Sequence, residues 1–203
     1  MLTKQEFLKA FLMFLITIPL IIASYIIVPI ALLFCKKEDE NLPKFLKWFD
    51  DLNYGINGDG GWKTEHFPEP KNRSYLARLL FLYRNRINGF QVLHQGMDVK
   101  NIDLSTISVQ GDTLATYNKG QKDTFCIVRI EANSKKYFSL YYEKRYLKYF
   151  YIRAYIGWKL MDIANFKNIL DKQKWLENQS KENRLSVLES VFSINPFKII
   201  KRS

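Results

Sequence analysis

Two cysteines and two histidines are all that 203 residues offer as soft or imidazole ligands. Cys35 and Cys126 lie far apart, without the short spacing of a zinc site or a redox pair. Each reads as a small buried hydrophobe, and a disulfide framework is not expected. Lipid attachment at Cys35 would want small residues before it, where Leu33 and bulky Phe34 stand. Acid is also scarce, because 20 Asp and Glu face 31 Lys and Arg, a formal charge of +11. Signatures of chemistry are missing as well: the chain has no Walker loop, no G-x-S-x-G, no H-E-x-x-H and no C-x-x-C. The expectation is a protein that is not an enzyme, binds no metal and needs no cofactor. Disorder is excluded in turn, since 47% of the residues are hydrophobic.

What is present begins with an apolar run. From Ala10 to Cys35 there are 26 consecutive residues without a charge, more than the ~20 that carry a helix across a bilayer core. No small-x-small cleavage site closes a shorter apolar segment, so the run reads as an uncleaved anchor. Pro19 and Pro29 leave two shapes open, a kinked single span and a re-entrant hairpin, and the single span is preferred. Lys36, Lys37, Lys44 and Lys47 follow the run and Lys4 and Lys9 precede it, which points the larger part of the chain to the cytoplasm.

Beyond the anchor, "LPKFLKWFDDL" places Leu42, Phe45, Leu46, Phe49 and Leu52 on one helical face. With Trp48 it forms either an interfacial helix, which Phe45, Trp48 and Phe49 set on the bilayer, or a helix packed on the following domain. "NYGINGDGGWKTEHFPEPKN" reads as a loop in which Trp62 anchors on the core and glycines such as Gly60 and Gly61 allow positive φ. Asn53, Asn57, Asp59 and Glu65 make a poor calcium loop, one position out of register. His66 and His94, the acids Asp50, Asp51, Asp59 and Glu65, and Ser or Cys nucleophiles are the catalytic candidates. A hydrolase built on Asp59, Glu65 and His66 stands as the last of three functional readings.

From Asn72 a helix with Leu76, Leu79, Leu80 and Tyr83 on one side runs to Asn88-Gly89. The hydrophobic period then changes to two. "STISVQ", "TLATYN", "TFCIVRIEA", "KYFSLYYEK" and "LKYFYIRAYIGWKL" predict four or five antiparallel strands, and "DIANFKNILDKQKWLENQ" and "KENRLSVLESVF" predict two closing helices. The expected fold is α+β: a transmembrane helix, then a small domain with a 4–5-stranded antiparallel sheet and flanking helices. Its divisions are an anchor at 1–35, a juxtamembrane helix and Gly-rich loop at 36–71, and the α+β domain at 72–203.

Residues 135–160 hold ten aromatic and seven basic residues with Glu143 as the one acid. Alternation in the last strand sets Phe150, Ile152, Ala154, Ile156 and Trp158 toward the core and Tyr149, Tyr151, Arg153 and Tyr155 on the opposite face. With Lys144, Arg145 and Lys148 in the preceding turn, this face is the candidate contact for anionic lipid headgroups or for single-stranded nucleic acid. The anchor favours lipid, and no RNP-type motif supports the nucleic-acid reading.

Four blocks, "LPKFLKWFDD", "INGDGGWKTEHF", "SYLARLLFLYRNRINGF" and "IRAYIGWKL", resemble a family of small uncharacterised proteins encoded by tailed bacteriophages, over most of residues 40–160. The resemblance implies a phage product in an infected bacterial cell and supplies no activity or catalytic residue. The combined expectation is a single-pass protein of the bacterial inner membrane, its C-terminal domain cytoplasmic. It would act by binding lipid and a host or phage protein, with a membrane-tethered nucleic-acid binder as the alternative.

Overall fold

The computed structural model describes residues 2–117, 120–147, 150–166, 169–182 and 186–199. Helix α1 (Lys4–Leu33) is continuous through Pro19 and Pro29, so the hairpin alternative does not form. Its start is a capping box: Thr3 Oγ1 accepts from Glu6 N at 3.2 Å, and Glu6 accepts from Thr3 N at 2.7 Å. Pro29 has no N–H to give the Tyr25 carbonyl four residues back. The Tyr83 hydroxyl donates there at 3.1 Å, and the Tyr75 hydroxyl donates to the Pro29 carbonyl at 3.2 Å.

A 3₁₀ turn (Lys44–Phe49), a π turn (Trp62–His66) and helices α2 (Tyr75–Arg84) and α3 (Asn88–Gln95) follow. With the end of α1 they bury one hydrophobic cluster, formed by Val28, Leu32, Ile56, Trp62, Phe81, Ile87 and their neighbours. Helix α2 is turned from the predicted face: Ala77, Phe81 and Leu82 are inside, while Leu76 and Leu80 are exposed. The reason is Arg78, which is buried on the same side and needs carbonyl partners there. Asn88-Gly89 opens α3 rather than ending α2, and Gly89 is required because a Cβ would lie 1.8 Å from the Lys47 carbonyl oxygen. In the Gly-rich loop the positive φ angles fall at Gly55 (70°) and Gly58 (91°), and Gly60 and Gly61 do not share them. Trp62 is anchored on the core as expected.

The sheet is antiparallel, in the order β2 (Ile102–Gly111), β3 (Thr124–Ala132), β4 (Lys135–Leu147), β5 (Phe150–Trp158) and β7 (Ser190–Ile199). A second, two-stranded pairing joins β1 (Met97–Asp98) to β6 (Val187–Leu188), and α4 (Ile169–Glu182) lies between β5 and β6 in the chain. The fold is therefore α+β with a five-stranded antiparallel sheet, although two members differ from expectation. Residues 113–117 of "TLATYN" form turns, tied by the Asp112 carboxylate to Leu114 N at 2.9 Å. The predicted helix "KENRLSVLESVF" supplies β6 and the start of β7. Val187, Val191 and Ile194 favour extended backbone, and Pro196 is tolerated because β7 is an edge strand.

Candidate membrane-binding surface

One face of the basic, aromatic stretch proves to be turned inward. Register pairs Tyr141 with Tyr155, Glu143 with Arg153 and Arg145 with Tyr151, which puts all six on one sheet face. That face is covered by the turns after β2 and by the 3₁₀ turn Met161–Asn165, and Cys126, Val128, Tyr141, Met161 and Ile163 form its core. Glu143 is 1% exposed. It accepts from Arg153 Nε at 2.5 Å, the Tyr141 hydroxyl at 2.6 Å and Gly120 N at 2.7 Å. Burial works against the Arg153 charge, yet Glu143 beside it holds the guanidinium above its ordinary range. Burial likewise drives the Tyr155 phenol well up.

Tyr151 is only 6% exposed, and its hydroxyl accepts from Arg153 at 2.8 Å. Neither Tyr151 nor Tyr155 is free to stack on a base. The predicted division of faces is thus corrected: Tyr151, Arg153 and Tyr155 are interior. The Ile152, Ala154 and Ile156 face is the one that α1 crosses, through contacts with Arg129 and Phe192. Gly157, at φ 111°, breaks the alternation and turns Trp158 in against Tyr137, with ring centroids 4.8 Å apart. Arg145 is exposed but donates to the carbonyls of Gly120 and Gln121 at 3.3 and 3.2 Å, and Lys144 is exposed. Lys148 and Tyr149 lie outside the described residues.

The predicted interfacial trio also divides. Phe49 is buried in the helical cluster and is not at an interface, because the 3₁₀ turn brings it under α3. Phe45 is 85% exposed, and Trp48 is partly exposed, edge-on to Phe90 and His94. Phe45 faces the end of α1 across an open apolar cleft of about 450 Å³ walled by Ile27, Ile30, Phe34 and Leu46.

The remaining polar candidates serve the local structure. Asp59 caps Trp62 N at 2.6 Å and pairs with Arg84 at 3.4 Å, and His66 packs on Trp62. Asp50 and Asp51 are buried and accept backbone N–H groups, Asp50 from Leu42 and Asp51, and Asp51 from Asn53 and Tyr54. Burial raises the Asp51 pKa, and the two N–H groups only partly oppose it. Burial pushes the Cys126 thiol up to about 11, which leaves it inert. Among the described residues no cluster of three His, Cys, Asp or Glu side chains is placed to hold a metal.

The larger surface is α1 itself. Its inner seam is Ala10, Thr17, Ser24 and Ala31, spaced by seven, with Met13 and Val28 between; all are buried. Small residues at this repeat let a helix approach its neighbours closely. Its outer side carries most of the thirteen large hydrophobic side chains exposed between Phe7 and Phe34. Half-burying that many is worth of order 10 kcal/mol. One helix of the described residues is long and apolar enough to cross a membrane.

The domain holds α1 at both ends. Glu6 pairs with Arg129 through two bonds, of 2.6 and 3.0 Å, and Lys9 Nζ donates to the Lys136 carbonyl at 2.9 Å. The far end is held by Tyr75 and Tyr83, as above, and by Arg86, which donates to the Tyr25 hydroxyl. The seam repeat was present in the sequence. Hydropathy alone hides it, because the whole run is apolar and the repeat shows only in side-chain size. No curated protein and no solved structure matches the chain. Residues 1–202 match a family described as of unknown function, DUF7338, and the chain belongs to that family.

Proposed function

We propose that this is a membrane-anchored accessory protein of a tailed bacteriophage that works at the bacterial inner membrane by contact rather than by chemistry. Helix α1 supplies the anchor, and the part after it lies on the cytoplasmic side, against anionic headgroups and within reach of a host or phage protein. The observation that carries this reading is the outer side of α1, apolar from Ala10 to Leu33 and left uncovered by the fold. The phage setting rests on the sequence blocks, and the sidedness on the lysines that follow the apolar run. The burial of Tyr151 weighs against a base-stacking role.

The test is fractionation of the full chain expressed in bacteria. Retention in the membrane pellet through high-salt and alkaline carbonate washes, with release by detergent, is expected. Release by either wash refutes the anchor. A reporter fused after Ser203 that is active only in the periplasm refutes the sidedness.

A further inference from the structure

Building on that membrane reading, we propose that α1 does not cross the bilayer but lies in the plane of its cytoplasmic leaflet, still docked on the domain. A helix of 30 residues is about 45 Å long, ample for a bilayer core of ~30 Å. Length therefore permits a crossing, and the contacts oppose it. A crossing would carry Glu6 and Lys9 to the far side of the membrane, while Arg129 and Lys136 stay with the sheet. It would also strip Ala10 and Met13 from the sheet cluster. At the other end Val28, Ala31 and Leu32 are built into the helical cluster with Ile56 and Phe81, so the last turn of α1 cannot leave without opening that core.

An in-plane helix ordinarily needs a polar face for water. Helix α1 has none of its own, and the domain takes that place. The seam of small residues is covered by α2 and the sheet, so the assembly as a whole is amphipathic, with α1's outer side as its apolar face. Phe34, Phe45 and the cleft between Phe45 and Ile30 extend that face beyond the helix end and can receive an acyl chain.

The occupant is a phospholipid leaflet rather than a second copy of the chain, because cations border the apolar face at both ends. Lys4 stands at one end, and Lys36, Lys37, Lys44 and Lys47 stand at the other, exposed or partly so. Glu38, Asp39 and Glu40 offset some of that charge, and Asp39 is turned back to accept from Lys36 N at 2.7 Å. Two copies meeting through this face would bring like charges together at each end, whereas anionic headgroups meet them with opposite charge.

The test uses the full chain in its native membrane, with Cys35→Ser and Cys126→Ala as background. Single cysteines at Lys4 and at Glu38 are probed with an impermeant maleimide in spheroplasts and in inverted vesicles. The in-plane placement expects both to react from the same side. Reaction of the two from opposite sides overturns it while leaving the membrane anchor intact. Recovery of the protein in the soluble fraction overturns the anchor itself. A second measurement does not depend on sidedness: Lys9→Cys with Lys136→Cys, treated with a short bifunctional thiol reagent. The expected product is cross-linked within one chain. A product at twice the mass, or none, overturns the docked geometry.

Discussion

Replacing Arg78 by Ala is expected to destabilise the protein as much as the loss of a large core side chain. The guanidinium is buried and makes four hydrogen bonds: Nε to Asn57 Oδ1 at 2.9 Å, and its terminal nitrogens to the carbonyls of Lys36, Lys37 and Asp39 at 2.7, 2.8 and 2.9 Å. Three of the acceptors belong to the segment that leaves α1, so this one side chain fixes where that helix joins the domain. A hydrogen bond to a charged group contributes about 1.5–3 kcal/mol, and a plain sum over four would overshoot. The carbonyls of exposed Lys36 and Lys37 can recover water in the mutant, whereas buried Asn57 cannot. The net expectation is a loss of about 3–5 kcal/mol.

Urea unfolding in mild detergent, followed by tryptophan fluorescence, reads it, since Trp62 lies in the same cluster. Arg78→Lys should fall between, because one ammonium keeps the charge but cannot serve acceptors in several directions. A loss below about 1 kcal/mol in Arg78→Ala would refute the clamp.

Two further outcomes follow from the same helical region. Asp51 has a folded pKa raised by burial, so the folded state holds its proton above the ordinary carboxylate range; its contribution to stability is full below that range and is lost as pH rises from it through the raised folded pKa. Asp51→Asn keeps an acceptor for the N–H groups of Asn53 and Tyr54 and should flatten the decline above about pH 4; an unchanged slope in urea midpoints across pH sinks the assignment. Gly89→Ala should cost about 3 kcal/mol by pressing a methyl on the Lys47 carbonyl. Gly60→Ala, with nothing within 4 Å of its Cβ position, should stay within about 0.5 kcal/mol. The reverse order of those two melting temperatures would show the close approach at Gly89 to be wrong.

Legibility in the sequence followed how local each signal is. The apolar run, the helix read from Asn72, which forms as Tyr75–Arg84, and the alternation of β3 to β5 are statements about neighbours in the chain, and the structure keeps them in kind. Strands β6 and β7 were not legible, because they are extended through their pairing with β1 and β5, and in isolation "SVLESVF" fits a helix equally well. Which sheet face is covered was not legible either. Both faces of β5 carry aromatic residues, and only the return of the chain after β2 and at Met161–Asn165 decides that Tyr151 and Tyr155 lie inside. The partition of Phe45 from Phe49 has the same origin, since a 3₁₀ turn with three residues per turn replaces the 3.6-residue face that the spacing implied.

The net charge of +11 argues for an anionic partner, but four of the arginines are already engaged within the molecule. Arg78 holds the exit from α1, Arg129 holds its start through Glu6, Arg153 neutralises Glu143, and Arg145 braces the loop that covers it. Guanidinium groups suit such roles, because their planar fork can serve several carbonyl or carboxylate oxygens at once. The lysines are distributed differently, since Lys4, Lys36, Lys37, Lys44 and Lys47 border the apolar face rather than the sheet interior. These arginines therefore build the fold, while these five lysines stay on the surface beside α1. Substitution of those lysines should accordingly leave stability in urea within about 0.5 kcal/mol of the parent, and substitution of these arginines should register as loss of stability.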